Sequence, residues 1–593
     1  MGEALQAQYK NKVTTNKLIA SSLAKKIKLI GWTRLLVFIG ICFSGYYSFA
    51  TQSIVLIVLF IIAILSFFFL LRLHQLLINK KEIITNLLLI NENEIELLHY
   101  GKSIFDNGKE FLKNQTYCED LDVFGEASLY HIINRTTTIP GKEKLAAILK
   151  NPFMDASTIV KQQEAVKEFA AKVELRQMIV AYGMRSQKEQ PDVNQLLKWA
   201  ITRDKIISSD LVRIIRFVFP VLFVLAVVFS IITTNMMLFV YAYLLNLLIA
   251  GKYLKHINRI HETVSTNLKS FSVFSDILKL INHEHFSSEI LKESAAKTSA
   301  AAHQLKRLSV IGNFFDQRIN IIIGALFNGI FLYDLQCAFM LEKWKNDNGA
   351  KLNTWISEIG NIEMLNSLAT FAYNHPDFIY PAIMDKAPYL KAEKMGHPLI
   401  MKEKCIDNNI EIGNNKKLFL ITGSNMSGKS TFLRTIGVNL LIAKCGMPVF
   451  ASQFEFCPME IYTSLRLSDS LQENVSLFFA ELKKLKYILE QLQSNANAIV
   501  LLDEILKGTN SDDKHNGCRQ LVKKLIQRNC ITIMATHDIE LTNLSKEHPE
   551  MIENYCFESN LSNNELSFDY KLKKGISQNR NATFLMQKMG IID

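Results

Sequence analysis

The sequence predicts an α/β domain in the last third of the chain, after a mainly α-helical region that contains two transmembrane helical hairpins. Three observations support this fold: two long uncharged apolar blocks, long helical patterns with few Gly or Pro around them, and a strand, glycine loop and helix pattern near the C-terminal end. A chain of 593 residues is several times longer than one typical domain, so it should contain several structural units.

The first uncharged block runs from Leu35 to Leu71, 37 consecutive residues without Asp, Glu, Lys or Arg. One membrane span needs about 20 residues, so this block is too long for one span and suits two. A turn near Ala50 to Gln52 would divide it. A signal peptide has a shorter apolar stretch that starts earlier, which excludes that interpretation.

The second uncharged block runs from Phe217 to Gly251, 35 residues with a polar break at Thr233 to Asn235. It also predicts a hairpin of two spans. The alternative for both blocks is a pair of buried core helices in a large soluble domain, and Pro220 gives that alternative more weight in the second block.

Basic residues flank both blocks. Because cytoplasmic flanks of membrane spans are rich in Lys and Arg, both hairpins should enter from the cytoplasm and leave both chain termini there. The sequence therefore predicts a multi-pass protein of the cytoplasmic membrane, with lipid as a partner and the α/β domain in the cytoplasm. The flanking residues are Lys10, Lys12, Lys17, Lys25, Lys26, Lys28 and Arg34, then Arg72, Lys80 and Lys81, then Arg213 and Arg216, and finally Lys252, Lys255 and Arg259.

A third apolar stretch, Ile319 to Tyr333, has only 15 residues and is followed by Asp334. Because this length is too short for a span, we expect a buried or interfacial helix here.

Composition limits the remaining possibilities. The net charge of +11 suits a nucleic-acid backbone and an anionic membrane surface equally well. The nine cysteines are scattered and never form a Cys-x-x-Cys pair, which argues against a disulfide framework and against a zinc site.

A phosphate-binding loop is predicted between an apolar run at Leu418 to Thr422 and a helical pattern at Phe432 to Ala443. The spacing G-x-x-x-x-G-K-S places backbone N–H groups around phosphate oxygens at a helix N-terminus. Lys429 would contact the β and γ phosphates, and the Ser430 hydroxyl would bind Mg²⁺. The predicted nucleotide-binding residues are Gly423, Ser424, Asn425, Met426, Ser427, Gly428, Lys429, Ser430 and Thr431.

Two more apolar runs end in chemically useful residues. The run Ala498 to Leu502 ends in Asp503, a candidate Mg²⁺ ligand, and Glu504, which would orient or deprotonate the attacking water. The run Cys530 to Ala535 is followed by His537, at the carboxyl edge of the same predicted sheet. Glu504, Lys429 and His537 are therefore the candidate catalytic residues, with His537 as a sensor of the γ phosphate.

The local sequences resemble the MutS family of DNA mismatch repair ATPases. Gly423 to Arg434, with Asn-Met inside the loop, resembles the family's P-loop, Leu502 to Asp513 its Walker B segment, and Ala535 to Leu541 its switch-histidine segment. Gly396 to Leu399 is similar to the entry into the family's ATPase domain. A weaker similarity from Ser128 to Val166 matches the start of the family's helical core domain. The resemblance covers most of residues 117–592 and is strong from about 396 to 545.

The resemblance implies an ABC-type ATPase that uses ATP and Mg²⁺ and forms a homodimer with composite ATP sites. Ser476, in the segment similar to the family's signature region, would cap the following helix and reach the ATP of the opposite subunit. The family's flanking arginine is missing, since this chain has Glu473 to Phe478 there. About 30 residues precede the first hairpin, so we expect no mismatch-recognition domain in this chain.

Two functions remain open at this point. The first is a DNA-associated ATPase of MutS type that binds double-stranded DNA, and the second is a membrane-coupled mechanoenzyme without DNA. The expected order along the chain is a basic cytoplasmic segment (1–30), hairpin 1 (31–73), a helical core-like region (74–213), hairpin 2 (214–251), a helical lever-like region (252–395) and the ATPase domain (396–593).

Overall fold

The fold is described here from a computed structural model. It describes residues 2–51, 53–112, 116–185, 193–265, 268–384, 388–424, 426–466, 477–494, 497–506, 509–562, 565–577 and 592.

The first two thirds of the chain are helical. Short polar side chains fix the start of several helices: Thr138, Asp155 and Ser209 each accept a hydrogen bond from a backbone N–H in the first turn. The helices are α1 (Gly2–Thr51), α2 (Ile54–Leu98), α3 (Thr116–Asp120), α4 (Leu129–Ile133), α5 (Ile139–Lys150), α6 (Ala156–Ala171), α7 (Val173–Gly183), α8 (Val193–Ile201), α9 (Asp210–Thr233), α10 (Met237–Ser265), α11 (Leu268–His283), α12 (Glu289–Thr298), α13 (Ala301–Asp316), α14 (Ile321–Phe331) and α15 (Tyr333–Asn374).

Helices α1 and α2 pack against each other as a long hairpin and extend without a break from the first apolar block into the helical core. Near the inner end of the apolar block, Arg34 contacts His74 across the hairpin at 3.1 Å. Beyond it, Tyr9 donates a hydrogen bond to Asn374 of α15. The basic N-terminal segment is therefore the first part of α1 and not a separate unit.

The second apolar block forms helices α9 and α10, which pack against each other as a second pair. Pro220 lies inside α9. Among the described residues, four helices are long and apolar enough to cross a membrane: α1, α2, α9 and α10. Most of the large apolar side chains in the two blocks are exposed in the isolated chain, among them Phe49 and Ile54 of the first hairpin.

The last third contains two sheets. A four-stranded sheet has the order β1-β5-β2-β3, and a six-stranded sheet has the order β10-β9-β4-β8-β7-β6, parallel except for β10 at its edge. The strands are β1 (Ala382–Ile383), β2 (Tyr389–Met395), β3 (Asn408–Gly413), β4 (Leu418–Gly423), β5 (Gln453–Phe456), β6 (Glu460–Ser464), β7 (Ala498–Asp503), β8 (Cys530–Thr536), β9 (Ile552–Ser562) and β10 (Glu565–Lys574). The helices here are α16 (Lys429–Lys444), α17 (Leu477–Gln491), α18 (Ser511–Leu525) and α19 (Leu544–Glu547).

The prediction of a helical region followed by an α/β domain is confirmed, with three differences in detail. The α/β part begins before residue 396, because β1 and β2 pair with strands of the C-terminal third. The helical pattern after Ser157 is divided between α6 and α7, and the one after Lys252 between α10 and α11. Of the two alternatives for Ile319 to Tyr333, a buried or an interfacial helix, the buried one is wrong, because α14 exposes most of its apolar side chains.

Candidate nucleotide-binding site

The predicted site residues lie at one edge of the six-stranded sheet. Strand β8 lies between β4 and β7, and the register pairs Thr422 with Thr536 and Asp503 with Ala535. Because parallel strands end at the same edge, the loop after β4, the acids after β7 and His537 after β8 converge there. The pairing of β8 with β4 and β7 therefore brings together three segments that are distant in the sequence.

The glycine loop has the backbone that its sequence requires. Gly428 has φ 104° and directly precedes α16, so the loop turns in a conformation that side chains rarely adopt. A Cβ on Gly423 would lie 2.8 Å from the Phe557 carbonyl oxygen and 2.9 Å from Ser427 Oγ. The loop therefore approaches β9 more closely than any residue with a side chain would allow.

The donors of this loop fit a phosphate chain. Lys429 is 4% exposed and its ammonium group donates to the carbonyl oxygens of Gly423 at 2.8 Å and Ser424 at 2.9 Å. Ser424 Oγ and Ser427 Oγ are buried and lack a hydrogen-bond partner among the described residues. Buried polar atoms normally have partners, so these two hydroxyls suit an anionic ligand at the N-terminus of α16. Ser430 and Thr431, at the start of α16, are exposed.

Of the three predicted catalytic residues, Glu504 contacts both of the others. Glu504 Oε1 lies 3.8 Å from Lys429 Nζ and 2.5 Å from His537 Nε2. The Lys429 side chain is almost fully buried, and the side chains of Glu504 and His537 are 20% and 37% exposed. A carboxylate between an ammonium group and an imidazole is held in position and retains access to solvent, as a group that acts on water requires.

The backbone after β7 is strained. Glu504 has φ 47° and Leu506 has φ 59°, in the left-handed region that costs about 1 kcal/mol or more for residues other than glycine. Two hydrogen bonds hold this segment: Glu504 N donates to the Ala535 carbonyl oxygen, and Leu506 N donates to Glu481 Oε1 of α17. Helix α17 is therefore tied to the acidic end of β7.

Two acidic residues of the helical region also belong to the surroundings of the site, and the sequence pattern gave no signal for them. Asp120 accepts hydrogen bonds from Thr463 Oγ1, from the backbone N–H groups of Leu465 and Arg466, and from Lys484 Nζ. Asp122 forms two hydrogen bonds to the Arg466 guanidinium, at 2.6 and 3.0 Å.

Asp122 also lies 3.6 Å from Arg434, on the P-loop helix α16. The segment from Asp120 to Asp122 therefore links the helical region both to α16 and to the chain that leads into the predicted signature segment. No motif could have revealed this link, because its partners lie more than 300 residues apart in the sequence.

Two predicted site residues cannot be placed. Asn425 of the loop and Ser476 of the signature segment lie outside the described residues. Helix α17 is described from Leu477 onward. The roles assigned to both residues stay predictions.

Comparison with known families identifies the C-terminal third. Residues 419–589 match the model of MutS domain V. This region contains the P-loop, Asp503, Glu504 and His537, so the match covers the site described above.

Comparison with individual proteins agrees with the family model. The chain is 32% identical to MutS protein homolog 4 of Homo sapiens over 232 residues, 37% of this chain and 24% of that protein. It is 28% identical to the DNA mismatch repair protein MutS of Thermotoga maritima over 318 residues, 53% of this chain and 36% of that protein. The chain thus matches between about a quarter and a third of the length of these relatives.

The site assignment predicts different effects for two substitutions. Lys429→Ala should weaken ATP binding at least about tenfold, because a buried charge-assisted contact to phosphate is lost. Glu504→Gln should preserve binding and lower the turnover of ATP by about 100-fold or more, the usual effect of losing a general base. Equilibrium binding of a fluorescent ATP analogue and phosphate release measure the two effects separately.

Matched controls are available on the same domain. Lys546→Ala and Glu550→Gln change exposed residues of the same types away from the sheet edge and should leave both quantities unchanged. Turnover by the Glu504→Gln variant at the rate of the unmodified protein would show that the assignment of Glu504 is wrong.

Proposed function

We propose that this chain, which belongs to the MutS family, is a Mg²⁺-dependent ATPase that works as a dimer and is anchored in the cytoplasmic membrane by two helical hairpins. Proteins of this family are ATPases. The observation that carries the enzymatic part is the contact of Glu504 with both Lys429 and His537 beside the glycine loop.

Each residue of the site has a defined task in this proposal. The loop N–H groups and Lys429 would bind the phosphates of ATP, and Ser430 and Asp503 would hold Mg²⁺, which would neutralise phosphate charge. Glu504 orients the attacking water and accepts its proton. His537 holds the Glu504 carboxylate and responds to the γ phosphate. These tasks use only residues at the common edge of β4, β7 and β8.

The dimer part of the proposal follows from the ABC type of the ATPase domain. Ser476 would contact the ATP of the opposite subunit, so that each of two sites needs both chains. Asp122 holds Arg466, which lies in the segment similar to the family's signature region, and so attaches this segment to the helical region. Closure of the dimer on ATP would then act on the helical region through Asp120 and Asp122.

The proposed membrane anchoring rests on the length of the apolar helices, on the exposure of their side chains and on their position relative to the helical core. Leu35–Thr51 and Ile54–Leu71 are 17 and 18 residues long, about 25 and 27 Å as helices, close to the hydrocarbon thickness of about 30 Å. Both ends of this hairpin contact the helical core, through Tyr9 on α1 and Glu94 on α2. The core and the ATPase domain therefore lie on the same side as the basic flanks, the cytoplasmic side by the positive-inside rule.

The topology can be measured by cysteine labelling in intact cells. A cysteine at Asn235, between α9 and α10, should react with a membrane-impermeant maleimide added from outside, and a cysteine at Ser208 should not. Both should be made in a Cys42→Ser background, because Cys42 is the exposed native cysteine.

Permeabilised cells provide the control, since the cysteine at position 208 should then react as well. Protection of position 235 in intact cells, with reaction after permeabilisation, would contradict the second hairpin. Labelling of position 208 from outside would contradict the orientation.

DNA is the partner that the relatives' names suggest, since the relative from Thermotoga maritima is a DNA mismatch repair protein. We propose double-stranded DNA as the partner of the dimer. The second candidate is an ATPase that acts on the membrane without DNA, and it is favoured by the unbroken course of α1 and α2 from the apolar block into the core. The net charge of +11 suits both candidates.

Measuring the binding of duplex DNA should distinguish between these two functions. Full-length protein in nanodiscs of zwitterionic lipid should bind a fluorescent duplex with an affinity that falls as salt rises, and the duplex should change the ATP turnover. Heparin, an anionic polymer without bases, is the control for simple charge attraction. Absence of binding at low salt, with normal ATP turnover, would favour the second candidate.

A further inference from the structure

Helix α14 exposes an apolar face next to the second hairpin. Its eleven residues carry no charge, and Ile321, Ile322 and Leu326 are 85%, 79% and 49% exposed. Ile319 before it and Phe331 at its end are exposed as well. A soluble helix normally turns its apolar side chains inward. The distribution in α14 is the reverse, so its outer face requires an apolar environment.

The face of α14 that packs against the protein consists of glycines and one polar residue. Gly324, Asn328 and Gly329 are buried, and a Cβ on Gly329 would lie 2.0 Å from the ring of Tyr243 on α10. Asn246 of α10 donates a hydrogen bond to the Gly329 carbonyl oxygen at 2.9 Å. Close contact through glycines and inter-helix hydrogen bonds is typical of helix packing within membranes.

The contact with α10 lies on the membrane side of the charged boundary. Asn246 and Tyr243 precede Lys252 by 6 and 9 residues, about 9 and 14 Å along the helix. On α9 the boundary is marked by Arg216, whose carbonyl oxygen accepts a hydrogen bond from Gln336 near the start of α15. Helix α15 therefore starts at the boundary, and α14 packs beyond it.

A rigid bend joins the two helices. The axes of α14 and α15 differ by 82° at Leu332, which has φ 51°. Asp334 N donates to Asn328 Oδ1, and the Asp334 carboxylate forms a buried ion pair with Arg318 at 2.8 Å. The pair neutralises both charges at the bend. With a length of about 16 Å, α14 is too short to cross a bilayer of about 30 Å.

We propose that α14 lies within the lipid bilayer near its cytoplasmic surface, roughly parallel to the membrane plane, at the membrane-contacting end of the 42-residue helix α15. The occupant of the exposed face is lipid, because this face continues the exposed apolar surface of α9 and α10, and its flanking charges are paired. The inference rests on the membrane anchoring proposed above and adds a third, non-spanning contact. Because α15 ends at Asn374 in the core, this contact connects lipid to the region next to the ATPase domain.

Spin labels on the full-length protein in liposomes of phosphatidylcholine and phosphatidylglycerol test this placement. Ile322→Cys, Leu225→Cys and Lys351→Cys, each in the Cys42→Ser background, place one label on α14, one in the second hairpin and one on exposed α15. Oxygen concentrates in lipid and a nickel chelate in water, so the ratio of their collision rates reports the environment. The ratio at 322 should approach that at 225 and exceed that at 351 several-fold.

The possible outcomes separate this inference from the anchoring itself. A water-like ratio at 322 with a lipid-like ratio at 225 would overturn the placement of α14 and leave the hairpin intact. Water-like ratios at both positions would overturn the anchoring. Exclusion of both reagents at 322, with dipolar broadening that disappears on dilution with unlabelled protein, would show that a second copy of the chain covers this face.

Discussion

A buried ion pair between Arg135 and Glu94 joins the parts of this protein. Both side chains are at most 3% exposed, and the guanidinium contacts the two carboxylate oxygens at 2.5 and 2.9 Å. Glu94 also accepts a hydrogen bond from Asn374, which in turn accepts one from Tyr9. Four elements meet here: the two helices of the first hairpin, the chain before α5, and the end of α15. Removal of one partner would leave a buried charge uncompensated, at a cost of about 3–5 kcal/mol.

A second buried carboxylate strengthens the same junction. Glu363 of α15 accepts hydrogen bonds from the backbone N–H and hydroxyl groups of Thr137 and Thr138, at the start of α5. Burial raises the pKa of Glu363 above its ordinary value, although these hydrogen bonds favour the charged form. Helix α15 is therefore attached to the core at two neighbouring points, three turns apart, and it carries the bend and α14 at its other end.

From this junction two paths lead to the nucleotide site. One follows the chain after α15, where Phe378 stacks on Phe450 of the ATPase domain with ring centroids 4.9 Å apart. The other passes through Asp120 and Asp122 to Arg466 and Arg434. Because both paths consist of packed side chains and ion pairs, a change at the P-loop helix or the signature segment must either strain the helical region or move it.

The sequence predicted the parts of this protein that depend on local patterns. The glycine loop, the acids after β7 and His537 could be located from strand and spacing patterns alone, and the apolar blocks from the absence of charge. The four-stranded sheet could not be predicted, because β1 has only two residues and both β1 and β2 pair with β5, about 60 residues or more further along the chain. The roles of Asp120, Asp122 and Glu94 depend on distant contacts and left no local signal.

The sequence left open whether α14 is a buried or an interfacial helix, for another reason. An apolar run of about 11 residues has the same pattern in a protein core and at a membrane surface. Only its glycines, buried against Tyr243 and Asn246, show which side faces the protein.

We infer that the ATPase site and the proposed membrane helices form one mechanical unit, joined at the Arg135–Glu94 pair. Hydrogen–deuterium exchange of the full-length protein in nanodiscs tests it, by comparing the nucleotide-free Glu504→Gln variant with the same variant saturated with ATP and Mg²⁺. We expect ATP to change the exchange of backbone amides in the last turns of α2 around Glu94 and in α15, as well as at the P-loop. Changes confined to residues 396–593, with α2 and α15 identical in both states, would contradict it.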